Sequence, residues 1–410
     1  MSLKRVVITG IGAVSPLGSD SLEMSQGLEA SLSAVQYMEG WDTYKGLRCL
    51  VAAPAKAKDE HLIPRQSRRS MGSMSIYSVQ AAQEALNDSA LPTEILKTGR
   101  VGCIIGSTMG GAKSINDVYE NMASQRDLTQ LTSMKFFQCM SHTAALNVSQ
   151  YLGINGVVMA TSAACASGLQ AIGTAYDLIR LGSQDVILCG GAEELHPTVT
   201  ASFDILFATS TKYNDRPQLT PRPFDANRDG LVCGEGAGII VIESYEHAMA
   251  RSAKIHAEII GYQTCASGLH ISQSSKEALA SSMRGALAAA QINSKDIDYI
   301  NAHATATLQG DKEEADAIRE IFGDKVPVSS LKGYMGHTLG ASGGLELIAS
   351  LFMMRSGRIY PTKNLENVAD DCQGIWHVQK PLKRPLNFIL KNAFALGGIN
   401  ASIVLKRLSQ

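Results

Sequence analysis

Short runs of β-branched and small apolar residues alternate along this chain with longer segments whose apolar side chains recur at helical spacing. That alternation restricts it to a layered α/β architecture. Strands are predicted at 5–10, 101–106, 185–190, 237–242, 257–260, 299–302 and 401–405. Helices are predicted at 74–86, at 168–181 with Gly182 as its stop, at 276–291 and at 311–322. The segment 343–354 is apolar nearly all round and belongs in a core. The stretch 213–229, with three prolines and mixed charges, reads as a long surface connection. A length of 410 residues fits roughly two to three domains, or one large α/β unit of two related halves. A two-fold duplication with halves meeting near residue 250 is compatible with the strand count.

Apolar residues make up 45% of the chain and charged ones 18%, enough to bury a sizeable core. Lys and Arg number 37 against 38 Asp and Glu, a net charge of −1, so no bulk field gathers nucleic acid or an anionic membrane. An acidic partner must therefore dock on a local patch. The eight cysteines form no CxxC pair and several lie in apolar stretches, the usage of a reduced compartment, and a disulfide scaffold is excluded. Lys4-Arg5 and the apolar run after it imitate a signal peptide, but Gly10, Gly12 and Pro16 interrupt the run, which reads as a first strand. No window has the roughly 18 apolar residues of a membrane span. The expectation is a soluble, cytoplasmic protein.

Three segments could carry chemistry. The first is Thr161-Ser162-Ala163-Ala164-Cys165-Ala166-Ser167-Gly168, small residues leading into a helix. A thiol there meets free backbone N–H groups and the positive end of the helix dipole, which lowers its pKa; the bland alternative is an inert buried cysteine in a tight turn. The second is Asn301-Ala302-His303-Ala304-Thr305-Ala306-Thr307, a histidine at the end of a strand. The third is Ser329-Ser330-Leu331-Lys332-Gly333-Tyr334-Met335-Gly336-His337, which presents a lysine and a second histidine in a glycine-rich loop. Each histidine alone reads as structural, whereas one cysteine with two histidines in small-residue loops is a much rarer set.

Other readings have less support. Gly10-Ile11-Gly12 lacks the third glycine of a dinucleotide loop and reads better as a tight turn. There is no HExxH, no paired Cys/His spacing and no Walker loop. Gly340-Ala341-Ser342-Gly343-Gly344 matches the letters of a nucleophile elbow, but no strand runs into it, and close helix packing accounts for it better. The chemistry is expected to be thiol-based, with no metal required.

Taken in order, the three segments resemble those of the β-ketoacyl-acyl-carrier-protein synthases, the elongating condensing enzymes. So do the opening 5–10, the segment 222–238 and the closing 392–400. The resemblance spans the chain and implies the thiolase fold, a five-layered αβαβα sandwich of two similar halves. These are 1–250 with the nucleophilic cysteine and 251–410 with the two histidines. It implies that Cys165 accepts an acyl group from the phosphopantetheine arm of an acyl carrier protein. His303 and His337 then hold the malonyl thioester carbonyl, promote loss of carbon dioxide and stabilise the enolate, and Lys332 maintains the local charge pattern. The N–H groups of Cys165 and Leu396 correspond to the oxyanion hole, Phe394 and Leu396 to the gate, and Thr305 and Thr307 to the grip on pantetheine. Met109, Phe203 and, from a second subunit, Phe137 resemble the acyl-pocket wall. Arg65, Arg68 and Arg69 offer the carrier protein a basic landing strip. No tightly bound cofactor is implied. The expected assembly is a homodimer, or a heterodimer with a chain-length-factor-like subunit.

The chain also departs from the family pattern. Ala304 replaces a glycine after the first histidine, and Ala395 and Leu396 replace Gly-Phe in the closing loop, a stiffer hinge and a smaller gate. Lys391 stands where the family has a small residue beside a bound monovalent cation, among Asn301, Glu314, Glu346 and Asn392, and its ammonium is a candidate to replace that ion. These departures favour a specialised enzyme extending polyene, aryl or other polyketide-like chains over the housekeeping fatty acid enzyme. A thiolase would carry a second cysteine in 393–400, which has none. The alternative from another class is a non-catalytic subunit that binds the carrier protein.

Overall fold

The computed structural model describes residues 3–129, 131–270, 273 and 275–408. Eleven strands form one mixed sheet: β1 (Val6–Val14), β2 (Val101–Gly106), β3 (Val158–Met159), β4 (Val186–Glu193), β5 (Gly236–Ser244), β6 (Ala257–Ala266), β7 (Tyr299–Asn301), β8 (Pro327–Ser329), β9 (Trp376–His377), β10 (Phe388–Phe394) and β11 (Ile399–Lys406). Their order is 9-8-7-10-11-6-1-5-4-2-3. From β1 outward, the pairings with β5, β4, β2 and β3 run antiparallel, antiparallel, parallel, parallel. From β6 outward, those with β11, β10, β7 and β8 repeat the same sequence. The two related halves join where β1 pairs with β6 over three residues.

Alternate side chains of each strand enter different cores, which stacks the layers. Val186 and Leu188 of β4 join the cluster built on helix α1 (Ser73–Ser89) and helix α2 (Thr143–Leu152), while Ile187 and Cys189 join the central cluster with α3 (Ser167–Arg180) and α6 (Ser342–Ser356). On the other side, Ile389 and Ile403 face that same central layer. Leu390 and Val404 face α4 (Lys276–Ala290) and α5 (Leu308–Phe322). The result is helices, sheet, helices, sheet, helices, the five layers that the resemblance implies. Every residue of α6 from Ser342 to Met354 is buried, as its uniform hydrophobicity predicts.

Gly10 and Gly12 form neither a nucleotide loop nor a turn. They lie inside β1, where a Cβ would come within 2.1 Å of Ala85 O and 2.0 Å of Ala81 O, so α1 crosses the strand by resting on two glycines. The stretch 213–229 is not simply a surface connection. Phe224 is fully buried, and Arg222 and Asp225 form a buried ion pair at 3.0 Å. No helix among the described residues is long and apolar enough to cross a membrane.

Candidate active site

Cys165 sits in the turn that leads into α3. The residue before it, Ala164, takes a left-handed conformation (φ 46°) that a side chain rarely adopts, and local hydrogen bonds hold it there. Ser167 Oγ accepts from Ala163 N at 2.8 Å and reaches Ala164 O at 2.6 Å, and Thr161 Oγ1 donates to Ser167 O at 2.7 Å. His303 follows β7. Its backbone N–H and that of Ala304 donate to the two oxygens of Glu314, at 2.9 and 2.7 Å. His337 is clamped by the 232–234 segment: its N–H donates to Val232 O at 2.7 Å and its carbonyl accepts from Gly234 N at 2.8 Å.

These loops bring the cysteine sulfur and a nitrogen of each imidazole within 4.8 Å of one another. The imidazoles meet edge to face, with centroids 5.1 Å apart, and Phe394 approaches His303 at 6.3 Å. Both nitrogens of His337 and Nδ1 of His303 are buried without hydrogen-bond partners. Three polar atoms left unpaired beside one thiol are what a site waiting for a substrate oxygen contains. The trio is also the one group among the described residues that could hold a metal ion. Such an ion would consume the thiol as a ligand.

The electrostatics fix the resting protonation state. Burial, the Lys332 charge and, more weakly, Lys391 push both imidazoles well below their ordinary value, so they are neutral. Burial also pushes the Cys165 thiol up to about 12, against the pull of Lys332 and of the N–H groups of Leu396 and Cys165 itself. The sequence leads one to expect a depressed thiol, but desolvation outweighs the helix terminus here. Lys332 is fully buried and ion-paired with Glu346, and the second oxygen of Glu346 lies 2.5 Å from Lys391 Nζ. Burial opposes ionisation of Glu346, and the two ammoniums still hold it below its ordinary value.

An open pocket leads to this set. Thr305, Thr307, Phe203, Phe394 and Leu396 line it, with the two threonine hydroxyls 3.2 Å apart. Leu396 is 40% exposed at the mouth and also lines the adjoining surface pocket. Met109 lies outside the pocket lining and is 41% exposed. Phe137 is half-buried against Phe136 and does not line its own chain's pocket. Arg65 and Arg69 are exposed, whereas Arg68 is tied to Glu60 at 2.7 Å. Ala304 does not require glycine's freedom; the left-handed residue of its loop is Ala306 (φ 72°).

Two carboxylates escape a reading of the sequence. Glu193 accepts the N–H groups of Thr108 (2.8 Å) and Gly340 (3.0 Å), and Asp311 those of Phe224 (2.7 Å) and Ala306 (3.0 Å). Burial pushes both up to about 7. No local pattern announces an acid that binds loops distant in sequence; their place near strand end and helix start is the only cue.

Residues 3–248 match the family described as "Beta-ketoacyl synthase, N-terminal domain" and residues 256–366 the one described as "Beta-ketoacyl synthase, C-terminal domain". The chain is 36% identical over 410 residues to 3-oxoacyl-[acyl-carrier-protein] synthase 1 of Escherichia coli (strain K12), covering 99% of this chain and 100% of that one. The crystal structure of a beta-ketoacyl synthase from Burkholderia phymatum STM815 superimposes with a TM-score of 0.95 at 43% identity, covering 99% of this chain and 100% of that one. A type II polyketide synthase acyl-carrier protein in complex with its ketosynthase bound to the hexaketide gives 0.91 at 28%, with the same coverage. Sequence, layered fold and the Cys-His-His set agree: this chain belongs to the beta-ketoacyl synthase family.

Proposed function

We propose that the chain is a 3-oxoacyl-[acyl-carrier-protein] synthase that extends an acyl chain by two carbons. The observation that carries the reading is the convergence on one pocket of one thiol and two neutral imidazoles, three of whose four ring nitrogens are buried and unpaired. A carrier protein docks its acidic surface against Arg65, Arg68 and Arg69, and its pantetheine arm passes Leu396 to meet Thr305 and Thr307. The Cys165 thiol hands its proton to an adjacent imidazole as its sulfur attacks the thioester carbonyl. The oxyanion is held by the N–H groups of Cys165 and Leu396. The carrier's sulfur leaves with that proton, and the acyl group stays on Cys165.

A malonyl thioester then occupies the same arm site. His303 and His337 donate to its carbonyl oxygen, the bond to the carboxylate breaks, and carbon dioxide departs with the electron pair left in an enolate. Both imidazoles are neutral, so each can donate an N–H without carrying a proton that would quench the carbanion. The carbanion attacks the acyl-enzyme carbonyl, the new carbon–carbon bond forms, and the Cys165 thiolate leaves and takes a proton from solvent. Lys332 stabilises the anionic sulfur in both half-reactions.

For the pathway, the half-exposed Leu396 in place of an aromatic gate supports a specialised chain of polyene, aryl or polyketide type over the housekeeping one. Strand β3, at the sheet edge with Val158 and Met159 about 40% exposed, supports assembly with a second subunit, a second copy or a chain-length-factor-like partner. Intact-protein mass spectrometry after incubation with an acyl carrier-protein thioester tests the core reading. One acyl adduct is expected, lost in Cys165→Ala. Its absence under turnover conditions would leave a non-catalytic carrier-binding subunit.

A further inference from the structure

The family resemblance calls for a monovalent cation among Asn301, Glu314, Glu346 and Asn392, and the residues of this chain do not fit one. Lys391 projects from the middle of β10 and is fully buried. Its Nζ lies 2.5 Å from Glu346 Oε2 and donates to Asn392 O at 2.5 Å, filling the coordination that these oxygens would offer an ion. From this ammonium two chains of contacts run into the active site. In one, Glu346 carries the charge on to Lys332, the cation that faces Cys165. In the other, Asn392 Nδ2 donates to Glu314 Oε1 at 3.2 Å, and Glu314 grips the backbone N–H groups of His303 and Ala304. The buried charges then balance, two lysines against Glu314 and Glu346, where an unpaired buried ion would be strongly destabilising.

We propose that Lys391 is a built-in cation. It acts as a positioning residue that holds Lys332 through Glu346 and the His303 loop through Asn392 and Glu314, so that this enzyme works without a bound alkali ion. The proposal rests on the reading of Cys165, His303 and His337 as the condensing site. Of the side-chain oxygens around Lys391, Asn301 Oδ1 is buried without a hydrogen-bond partner, and Asn392 Oδ1 accepts from Ser402 Oγ at 2.9 Å, outside both contact chains.

Chemical rescue tests it. The parent enzyme should condense at the same rate, and melt at the same temperature, in potassium, sodium or tetramethylammonium salts. Lys391→Ser should lose about 10- to 100-fold in condensation, the usual effect of removing a group that orients a site. It should recover both rate and melting temperature in potassium or ammonium but not in tetramethylammonium, while Lys391→Met, which fills the space with methylenes, recovers neither. A parent that requires an alkali cation, a Lys391→Ser enzyme that is fully active in tetramethylammonium, or a loss that no small cation repairs would each overturn the assignment. Should Lys391→Ser fail to fold, the salt series on the parent and on Lys391→Met still decides it. A parent that forms no Cys165 adduct sinks the functional reading instead, and the melting temperatures alone then judge Lys391.

Discussion

His303→Ala separates the two half-reactions. The ring makes no hydrogen bond through Nδ1 and its aromatic contacts are edge-on with His337 and Phe394, whereas the loop is held by the backbone N–H bonds to Glu314, which survive truncation. The variant should therefore fold and melt close to the parent. The proposed oxyanion donors of the acyl-transfer step, Leu396 N and Cys165 N, lie on other segments, and His337, with both ring nitrogens unpaired, remains to take the thiol proton, so acylation should change little. Condensation loses one of two donors to the enolate oxygen, an effect of about 10²- to 10³-fold, or about 2.7–4 kcal/mol of transition-state stabilisation. Mass spectrometry of the Cys165 adduct gives the first rate, and carbon dioxide release with malonyl carrier protein gives the second. Condensation at the parent's rate, or equal loss in both steps, would refute the division of labour.

The gate and the scaffold yield two more expectations. Leu396→Phe should narrow the mouth and shift the accepted primers in a panel of acyl carrier-protein thioesters toward those of a housekeeping synthase; an unchanged profile would count against the specialised pathway. Glu243 is buried, which disfavours its charge, yet hydrogen bonds from His247, Arg251 and Thr9 hold its carboxyl down at about 2, from 4.5. A depressed carboxylate adds stability above its unfolded pKa and loses it as the pH falls through the folded one. Glu243→Gln should therefore cost about 3 kcal/mol in urea unfolding at neutral pH, a penalty that fades between pH 4.5 and about 2. A penalty that persists unchanged through that range would show that packing, not charge, is at stake.

The reactive trio and most of the sheet are legible in the sequence because their signals are local: a small-residue turn before a helix, a histidine just after a short strand, β-branched runs. Strand β10 is not. Lys391 and Asn392 interrupt its apolar run, and Glu346 and Glu314, brought in from α6 and α5, with Ser402 of β11, make burial of that polar pair tolerable. The 213–229 stretch misleads for the same reason: Arg222 and Asp225 satisfy each other, and Asp225 also caps the N–H groups of Glu366 and Asn367. Buried polarity solved at long range leaves no periodic trace. Ser167, Glu193 and Asp311 are hidden likewise, since each acts on backbone that the fold alone brings near.

The separation between Cys165 and His337 is set by backbone contact in the central layer. A Cβ on Gly168, three residues after Cys165, would stand 2.4 Å from Gly340 O, three residues after His337; one on Gly191 would stand 2.0 Å from the same oxygen. Glu193 closes this contact by binding Thr108 N and Gly340 N together. No side chain intervenes that could repack, so the thiol and the His337 ring cannot drift apart without moving β4, α3 and α6 together. The other end of the pocket is built differently. Leu396 is half exposed on a hairpin whose next two residues, Gly397 and Gly398, take φ values of 96° and 75°. A side-chain substitution there changes the mouth of the pocket and leaves the Leu396 N–H, the group that reaches Cys165, in the backbone. On this account the closing-loop departures, Ala395 and Leu396, fall where specificity can vary at little cost, while the Cys-His-His core is left intact.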